Sequence, residues 1–266
     1  RMLEVHGKPC RLAAQPWTAA IDVAAVARQL EGEAAILHVA VVHHETTTGR
    51  LNALADLGAL CRQRQVTLLL DAVSSFGAEA IDAVAWNVGA LAGTANKCLH
   101  GVAGLSFVLA RDDLWAGPGY RAGAVYLDLR SYAATQHRDG YSPFTLPVQV
   151  AFALQEALAE HDESGGSEVR RRSYAARAAR VAATLRAAGL VPLLPESAYS
   201  SVLWSWRLPA GQTYAQLHDA LKADGFVIYA GQGDLGPEIF RIAHMGDIRP
   251  DDLDRLCAAL GRILKC

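Results

Sequence analysis

Lys97 is one of only four lysines in the chain, and it lies in the nearly uncharged run Gly93-Thr-Ala-Asn-Lys-Cys-Leu-His-Gly101. A lysine flanked by Gly, Ala, Thr and Cys rather than by other charges is expected to be partly desolvated, which leaves a nucleophilic amine. Such an amine can form a Schiff base with a carbonyl compound. Upstream, residues 66–70 (Val-Thr-Leu-Leu-Leu) read as a short buried strand running into the small, polar turn Asp71-Ala-Val-Ser-Ser-Phe-Gly77. Asp71 therefore closes a strand, and in an open parallel sheet ligands collect in the crevice outside the carboxyl ends of strands. An acid and a lysine from neighbouring strand ends suit pyridoxal 5'-phosphate, the lysine holding its aldehyde and the carboxylate pairing with its pyridinium nitrogen. The competing reading makes Asp71 the N-cap of a following helix and Lys97 an ordinary surface residue.

These groups need elements to carry them. Residues 34–42 read as a buried strand ending at His43, 53–65 as a helix, and 66–70, 88–92 and 105–110 as further strands. Strand and helix in alternation imply parallel crossovers. After residue 115 the pattern loosens through Gly117-Pro-Gly119 and on to Pro143, a passage between domains. Helical periodicity resumes at 148–160 and 167–188. Further segments at 200–206, 214–223, 226–229 and 239–243 and a closing helix from Pro250 complete an α+β region. The predicted division is a large domain over residues 1–145 and a smaller one over 146–266.

Composition bounds the function. The chain has 266 residues, 52% of them hydrophobic, and a net charge of −2, which describes a globular chain with a sizeable core and gives no reason to expect nucleic acid as a partner. No apolar run approaches the roughly 20 residues of a membrane span, and the opening Arg-Met-Leu-Glu-Val-His is unlike a secretory leader. The five cysteines, Cys10, Cys61, Cys98, Cys257 and Cys266, are odd in number and lack CxxC or metal-ligand spacing. They read as free thiols of a reducing compartment, so a cytoplasmic location without a metal site is expected. Arg170, Arg171, Arg172, Arg177, Arg180 and Arg186 fall on an Ala-rich helical segment and read as a solvated face with no assigned role.

In collinear order, His43-His-Glu-Thr-Thr-Thr-Gly49, Asp71-Ala-Val-Ser-Ser-Phe-Gly77, Ala95-Asn-Lys-Cys98 with Gly101 and Gly104, Gly225-Phe-Val-Ile-Tyr229 and Phe240-Arg-Ile242 resemble the class V aminotransferases. The resemblance spans the whole chain. Its Glu-Thr-Thr-Thr-Gly and Ala-Asn-Lys-Cys pieces resemble a phosphonate-using branch rather than the alanine:glyoxylate branch, where the residue before the lysine is typically Gln. It implies an α/β fold of the pyridoxal-phosphate fold type I, with a mostly parallel sheet in the large domain and a smaller C-terminal α+β domain. It also implies transfer of an amino group from an aminophosphonate donor to pyruvate, a 2-oxo acid.

Residue by residue, the resemblance makes Lys97 the Schiff-base lysine and proton shuttle, and Asp71 the pyridinium partner. It gives Thr46 a hydrogen bond to the cofactor's phenolic oxygen and places Thr94 and Asn96 against its phosphate. Thr145 would reach the phosphate of a neighbouring subunit, which implies a homodimer. Arg241 would clamp the acidic group of the substrate; the alternative is an internal salt bridge to Asp247. Ser74 and Ser75 either join the site or merely satisfy their own turn. His43, His44, His100 and His244 are expected to pack and hydrogen-bond rather than catalyse, because a lysine already supplies the base.

Ahead of a strand matched by Arg1-Met-Leu-Glu, family members carry a further stretch with a Gly-rich phosphate turn and a stacking aromatic, so this chain is expected to begin inside the family's length. Three other functions share these residues: an alanine or serine transaminase acting on glyoxylate or pyruvate, a lyase or racemase on the same fold, and a truncated non-catalytic scaffold.

Overall fold

The computed structural model describes residues 1–31, 36–115 and 122–264. The first part of the chain forms α1 (Met2–Val5), α2 (Val23–Leu30), β1 (His38–Val42), β2 (His44–Glu45), β3 (Arg50–Leu51) and α3 (Ala55–Gln63). These are followed by β4 (Thr67–Asp71), β5 (Val88–Thr94), β6 (Ser106–Ala110) and α4 (Leu129–Asp139). The remainder forms α5 (Val148–Glu163), α6 (Gly166–Ala187), β7 (Leu203–Arg207), α7 (Tyr214–Ala223), β8 (Tyr229–Ala230), β9 (Ile239–Ala243) and α8 (Pro250–Leu264).

The main sheet has the order β1-β4-β5-β6. β1, β4 and β5 run parallel, with Asp71 opposite Val42 on one side and Ala92 on the other. Apolar residues of β4 and β5 meet those of α3, so Leu54, Leu57, Cys61, Leu68, Leu70, Ala72, Val88 and Leu91 form one buried cluster. Gly58 lets α3 approach closely: a Cβ there would lie 2.1 Å from the Trp86 carbonyl oxygen. The C-terminal region builds its own core from α6, α7, α8 and the antiparallel sheet β7-β9-β8, with Trp206, Leu217, Leu221, Phe240 and Leu260 buried at its centre. Thr213 and Gln216 start α7 with a reciprocal capping box. Ala78, Cys98, Tyr174 and Val202 form a third cluster that joins residues of the first core's side to residues of the second. No helix among the described residues is long and apolar enough to cross a membrane.

Four expectations need correction. Arg1 to Glu4 is no strand: Met-Leu-Glu are good helix formers, and the segment closes a helical turn with the Val5 amide donating to the Arg1 carbonyl. β6 is antiparallel to β5, because a short loop rather than a helical crossover joins them. The stretch read as a passage between domains contains α4, capped by the Asp128 side chain and closed by left-handed Gly140. It buries no residue and so carries no apolar stripe to read. α2, capped by Asp22 accepting from the Ala25 amide, was likewise not anticipated. Of the segment expected at 226–229, only Tyr229 lies in a strand, Tyr229–Ala230. Residues 34, 35, 117–119 and Cys266, named in the sequence reading, lie outside the described residues.

Candidate active site

Parallel pairing on both sides of β4 places Asp71 in the middle of the sheet's carboxyl edge. Its carbonyl accepts from the His43 amide at 2.9 Å, and the Ala72 amide donates to Ala92 at 3.0 Å. The side chain is exposed, and one carboxylate oxygen accepts from the Val73 amide at 3.0 Å. That bond closes an Asx turn and caps no helix, so the helix-cap reading of Asp71 does not hold.

β5 runs to Thr94 and opens into the loop that carries Lys97. The loop is closed by backbone bonds from Ala95 N–H to Leu105, from Gly101 N–H to Ala95 at 2.8 Å, and from His100 N–H to Lys97 at 3.0 Å. Ala95, Cys98 and Leu99 are buried around a half-buried Lys97. Among the described residues the Lys97 amine pairs with no carboxylate. The Thr94 hydroxyl lies 2.8 Å from Asn96 Oδ1 and 3.2 Å from the Leu105 carbonyl, which share its single hydrogen.

The segment after β1 folds back on this edge as the two-rung hairpin β2–β3. His43 hydrogen-bonds Ser75 Oγ at 2.9 Å and meets Trp86 edge to face. His44 Nδ1 takes the Ser74 carbonyl at 2.9 Å and its Nε2 the Ser200 hydroxyl at 2.8 Å. Burial, reinforced by His44, pushes His43 down to about 4. Burial also pushes His44 down to about 4, with the nearby Lys97 cation adding to it and the Ser74 carbonyl opposing. Both rings are therefore neutral structural groups near neutral pH, and Ser75 is committed to His43. Thr47 donates to Gln232 at 2.9 Å, while the Thr46 hydroxyl makes no hydrogen bond among the described residues.

Arg241 arrives from β9. Its Nε donates to the Ala230 carbonyl at 2.7 Å and its Nη1 to the Thr46 carbonyl at 2.8 Å. No salt bridge to Asp247 forms among the described residues. Two backbone carbonyls orient the guanidinium without neutralising it, so charge remains for an anionic ligand. Burial lowers its pKa, and Tyr214, Glu45 and Tyr229 act in the opposite sense. Thr145 stands apart, exposed on the approach to α5, and makes no hydrogen bond to this group.

The arginine-rich face of α6 is not simply solvated. Arg171, Arg180 and Arg186 do pair with surface acids, but Arg170 donates to the Cys98 carbonyl at 2.7 Å. Arg177 donates to the carbonyls of His244 and Gly246 at 3.1 and 2.6 Å. Sequence reasoning also missed Glu79, a buried carboxylate that accepts from the Ser201 amide and hydroxyl at 2.6 and 2.8 Å. Nothing local marks these residues, because their partners are remote in sequence.

A half-buried, unpaired lysine and a free carboxylate at one edge of a mostly parallel sheet fit the aldehyde and pyridinium ends of pyridoxal phosphate. Fold and edge chemistry together define a fold type I pyridoxal-phosphate enzyme. Within that class the chain belongs to the class V aminotransferase family, whose model matches residues 15–232. It is 38% identical over 261 residues to a 2-aminoethylphosphonate–pyruvate transaminase of Aeromonas hydrophila, covering 97% of this chain and 67% of that protein. The protein of the same name from Vibrio cholerae is 36% identical over 255 residues, with coverage of 94% and 69%. The chain thus spans about two thirds of the length of these relatives. Among solved structures, pyridoxamine–pyruvate aminotransferase from Mesorhizobium loti matches with a TM-score of 0.79 at 28% identity, over 94% of this chain and 65% of that one. An alanine–glyoxylate aminotransferase from Nostoc shares the fold with a TM-score of 0.89 at 24% identity, over 99% and 71%.

Proposed function

We propose that the chain is an aminotransferase that moves the amino group of 2-aminoethylphosphonate to pyruvate, giving phosphonoacetaldehyde and alanine. The carrying observation is that Asp71 ends β4 while Lys97 follows the end of the neighbouring β5 and pairs with no carboxylate among the described residues, with Arg241 reaching the Thr46 carbonyl and forming no salt bridge among those residues. The relatives' names support the substrate. When bound, pyridoxal phosphate supplies an electron sink for the carbon that loses its proton. Lys97 would hold the aldehyde carbon through Nζ and, once the donor's amino group has displaced it, would accept at the freed Nζ the proton that leaves the amino-bearing carbon of the donor. Asp71 keeps the pyridine nitrogen protonated. The Thr46 hydroxyl would bind the phenolic oxygen, Asn96 would hold the phosphate through its amide group with Thr94 joining once its hydroxyl hydrogen turns away from Asn96 Oδ1, and Arg241 would orient the phosphonate of the donor and the carboxylate of pyruvate. Thr145 serves the cofactor of a second subunit, so the working form is a homodimer, placed in the cytoplasm. The same reading assigns residues 1–145 to the cofactor-binding domain and 146–266 to the smaller one. No observation favours a non-catalytic scaffold.

The test is borohydride reduction of protein incubated with pyridoxal phosphate, followed by peptide mass spectrometry and a coupled assay for the aldehyde product. Attachment at Lys97 and turnover of the aminophosphonate with pyruvate are expected, and Lys97→Ala abolishes both. Much better use of serine or alanine with glyoxylate would overturn the substrate assignment, and a monomer in solution would overturn the role of Thr145.

A further inference from the structure

The Lys97 loop has no regular secondary structure, yet an amine that must meet a carbonyl carbon has to be held closely. α6 supplies the hold. Arg170 Nη1 donates at 2.7 Å to the carbonyl of Cys98, the residue after Lys97. One turn further along α6, the buried Tyr174 hydroxyl hydrogen-bonds His100 Nε2, and the two rings stack at 6.0 Å with 24° between their planes. His100 has φ +66, a left-handed conformation that a residue with a side chain seldom adopts unless its surroundings hold it. In that conformation its amide donates to the Lys97 carbonyl at 3.0 Å.

Arg177 also lies over the Tyr174 ring, its guanidinium carbon 5.7 Å from the ring centre. The Asp71 turn is tied into the same block. His161 of α5 hydrogen-bonds the Gly77 carbonyl at 2.8 Å, and a Cβ on Gly77 would lie 2.8 Å from Leu99 of the lysine loop. The loop just after Lys97 is thus held twice, by a charged donor at Cys98 and through the left-handed His100. The two groups that hold it, Arg170 and Tyr174, both stand on α6.

We propose that Arg170 and Tyr174 are positioning residues for Lys97, fixing the loop so that the amine faces Asp71 in one orientation. This rests on the reading of Lys97 as the attachment point of the cofactor. The alternative is that α6 packs against the loop without governing the lysine.

The experiment compares the wild-type chain with Arg170→Met, Arg170→Lys, Tyr174→Phe and, as control, Arg171→Met, whose arginine forms its salt bridge with Glu168 on the exposed face. Three quantities are read on each: amide hydrogen exchange at residues 98–101, the acetylation rate of Lys97 against Lys222 as internal standard, and the rate of borohydride-trapped cofactor attachment. Arg170→Met is expected to speed exchange at His100 and Gly101 by about tenfold or more, since a charged hydrogen bond to the loop is lost. It should also raise Lys97 acetylation and slow attachment. Arg170→Lys restores part of each change, and Arg171→Met changes none.

Unchanged exchange and acetylation in a folded Arg170→Met protein would overturn the proposal, as would faster exchange with unaltered acetylation. Tyr174→Phe, which deletes a single oxygen, is judged by the same readouts if Arg170→Met does not fold. Should the wild-type protein fail to attach the cofactor, the aminotransferase reading falls, while exchange and acetylation still decide whether α6 holds the lysine.

Discussion

The chain should lose stability steeply in mild acid, well before its carboxylates titrate. Burial holds His43, His44 and His244 at a pKa of about 4 in the folded protein, against an ordinary imidazole value of 6.5. Above 6.5 the rings are neutral in both states and contribute no pH dependence. As pH falls through 6.5 the unfolded chain binds protons that the folded core refuses, and the deficit grows until the folded rings themselves charge near 4. At about pH 5 each ring costs about 2 kcal/mol, so the three together remove about 6 kcal/mol. That is comparable to the whole stability of an ordinary domain, about 5–15 kcal/mol.

The slope near pH 5.5 corresponds to between two and three protons taken up on unfolding, or about 3–4 kcal/mol per pH unit. Urea unfolding followed by tryptophan fluorescence between about pH 8 and pH 5 measures it directly. His44→Gln, which keeps a neutral polar group beside Ser200, should flatten the slope by close to one proton. Asp113, Asp139, Glu168 and Asp252 are held below their ordinary values by hydrogen bonds to arginine partners, so they lose their contribution only at lower pH. Unfolding midpoints that stay constant from about pH 7 to pH 5 would refute the reasoning, because the rings would then be charging inside the folded protein.

Other substitutions probe other links. Gly58→Ala forces a methyl group into the Trp86 carbonyl and should destabilise the fold by about 2 kcal/mol or more despite alanine's better helix propensity, read from the urea midpoint. Glu79→Ala leaves the partly buried Ser201 amide without its acceptor and should cost about 1–3 kcal/mol, whereas Glu79→Gln, which still offers an acceptor oxygen, should recover most of that by the same measurement. Arg241→Lys loses the two-carbonyl anchor and the planar fork; steady-state kinetics should show KM for the acidic donor rising about tenfold or more with a smaller fall in kcat.

Much of this molecule is legible in local composition and period. The strand β9 and the helix α7 begin and end where their patterns do, because a half-buried strand and an amphipathic helix write their burial into successive residues. α4 escaped the same reading because it buries nothing, and the direction of β6 escaped it because an apolar run has the same pattern in either direction. Lys97 and Asp71 stand out as candidates for a related reason. An uncharged flank around a lysine and a carboxylate at the end of a Leu-rich strand are properties of a few adjacent positions.

The hydrogen bonds that organise the site are of another kind. Arg241 meets Thr46 across 195 positions, His44 meets Ser200 across 156, and Arg170 meets Cys98 across 72. A contact between remote partners imposes no period and no flanking composition, so an arginine that grips the lysine loop and one that pairs with a surface acid look alike in the run Arg170-Arg-Arg172. The sequence alone determined which residues could do chemistry and which elements would carry them. Only the folded arrangement decided which charges stay free, which histidines stay neutral and what holds Lys97 in place, because burial and hydrogen-bond partnership are properties of neighbours in space.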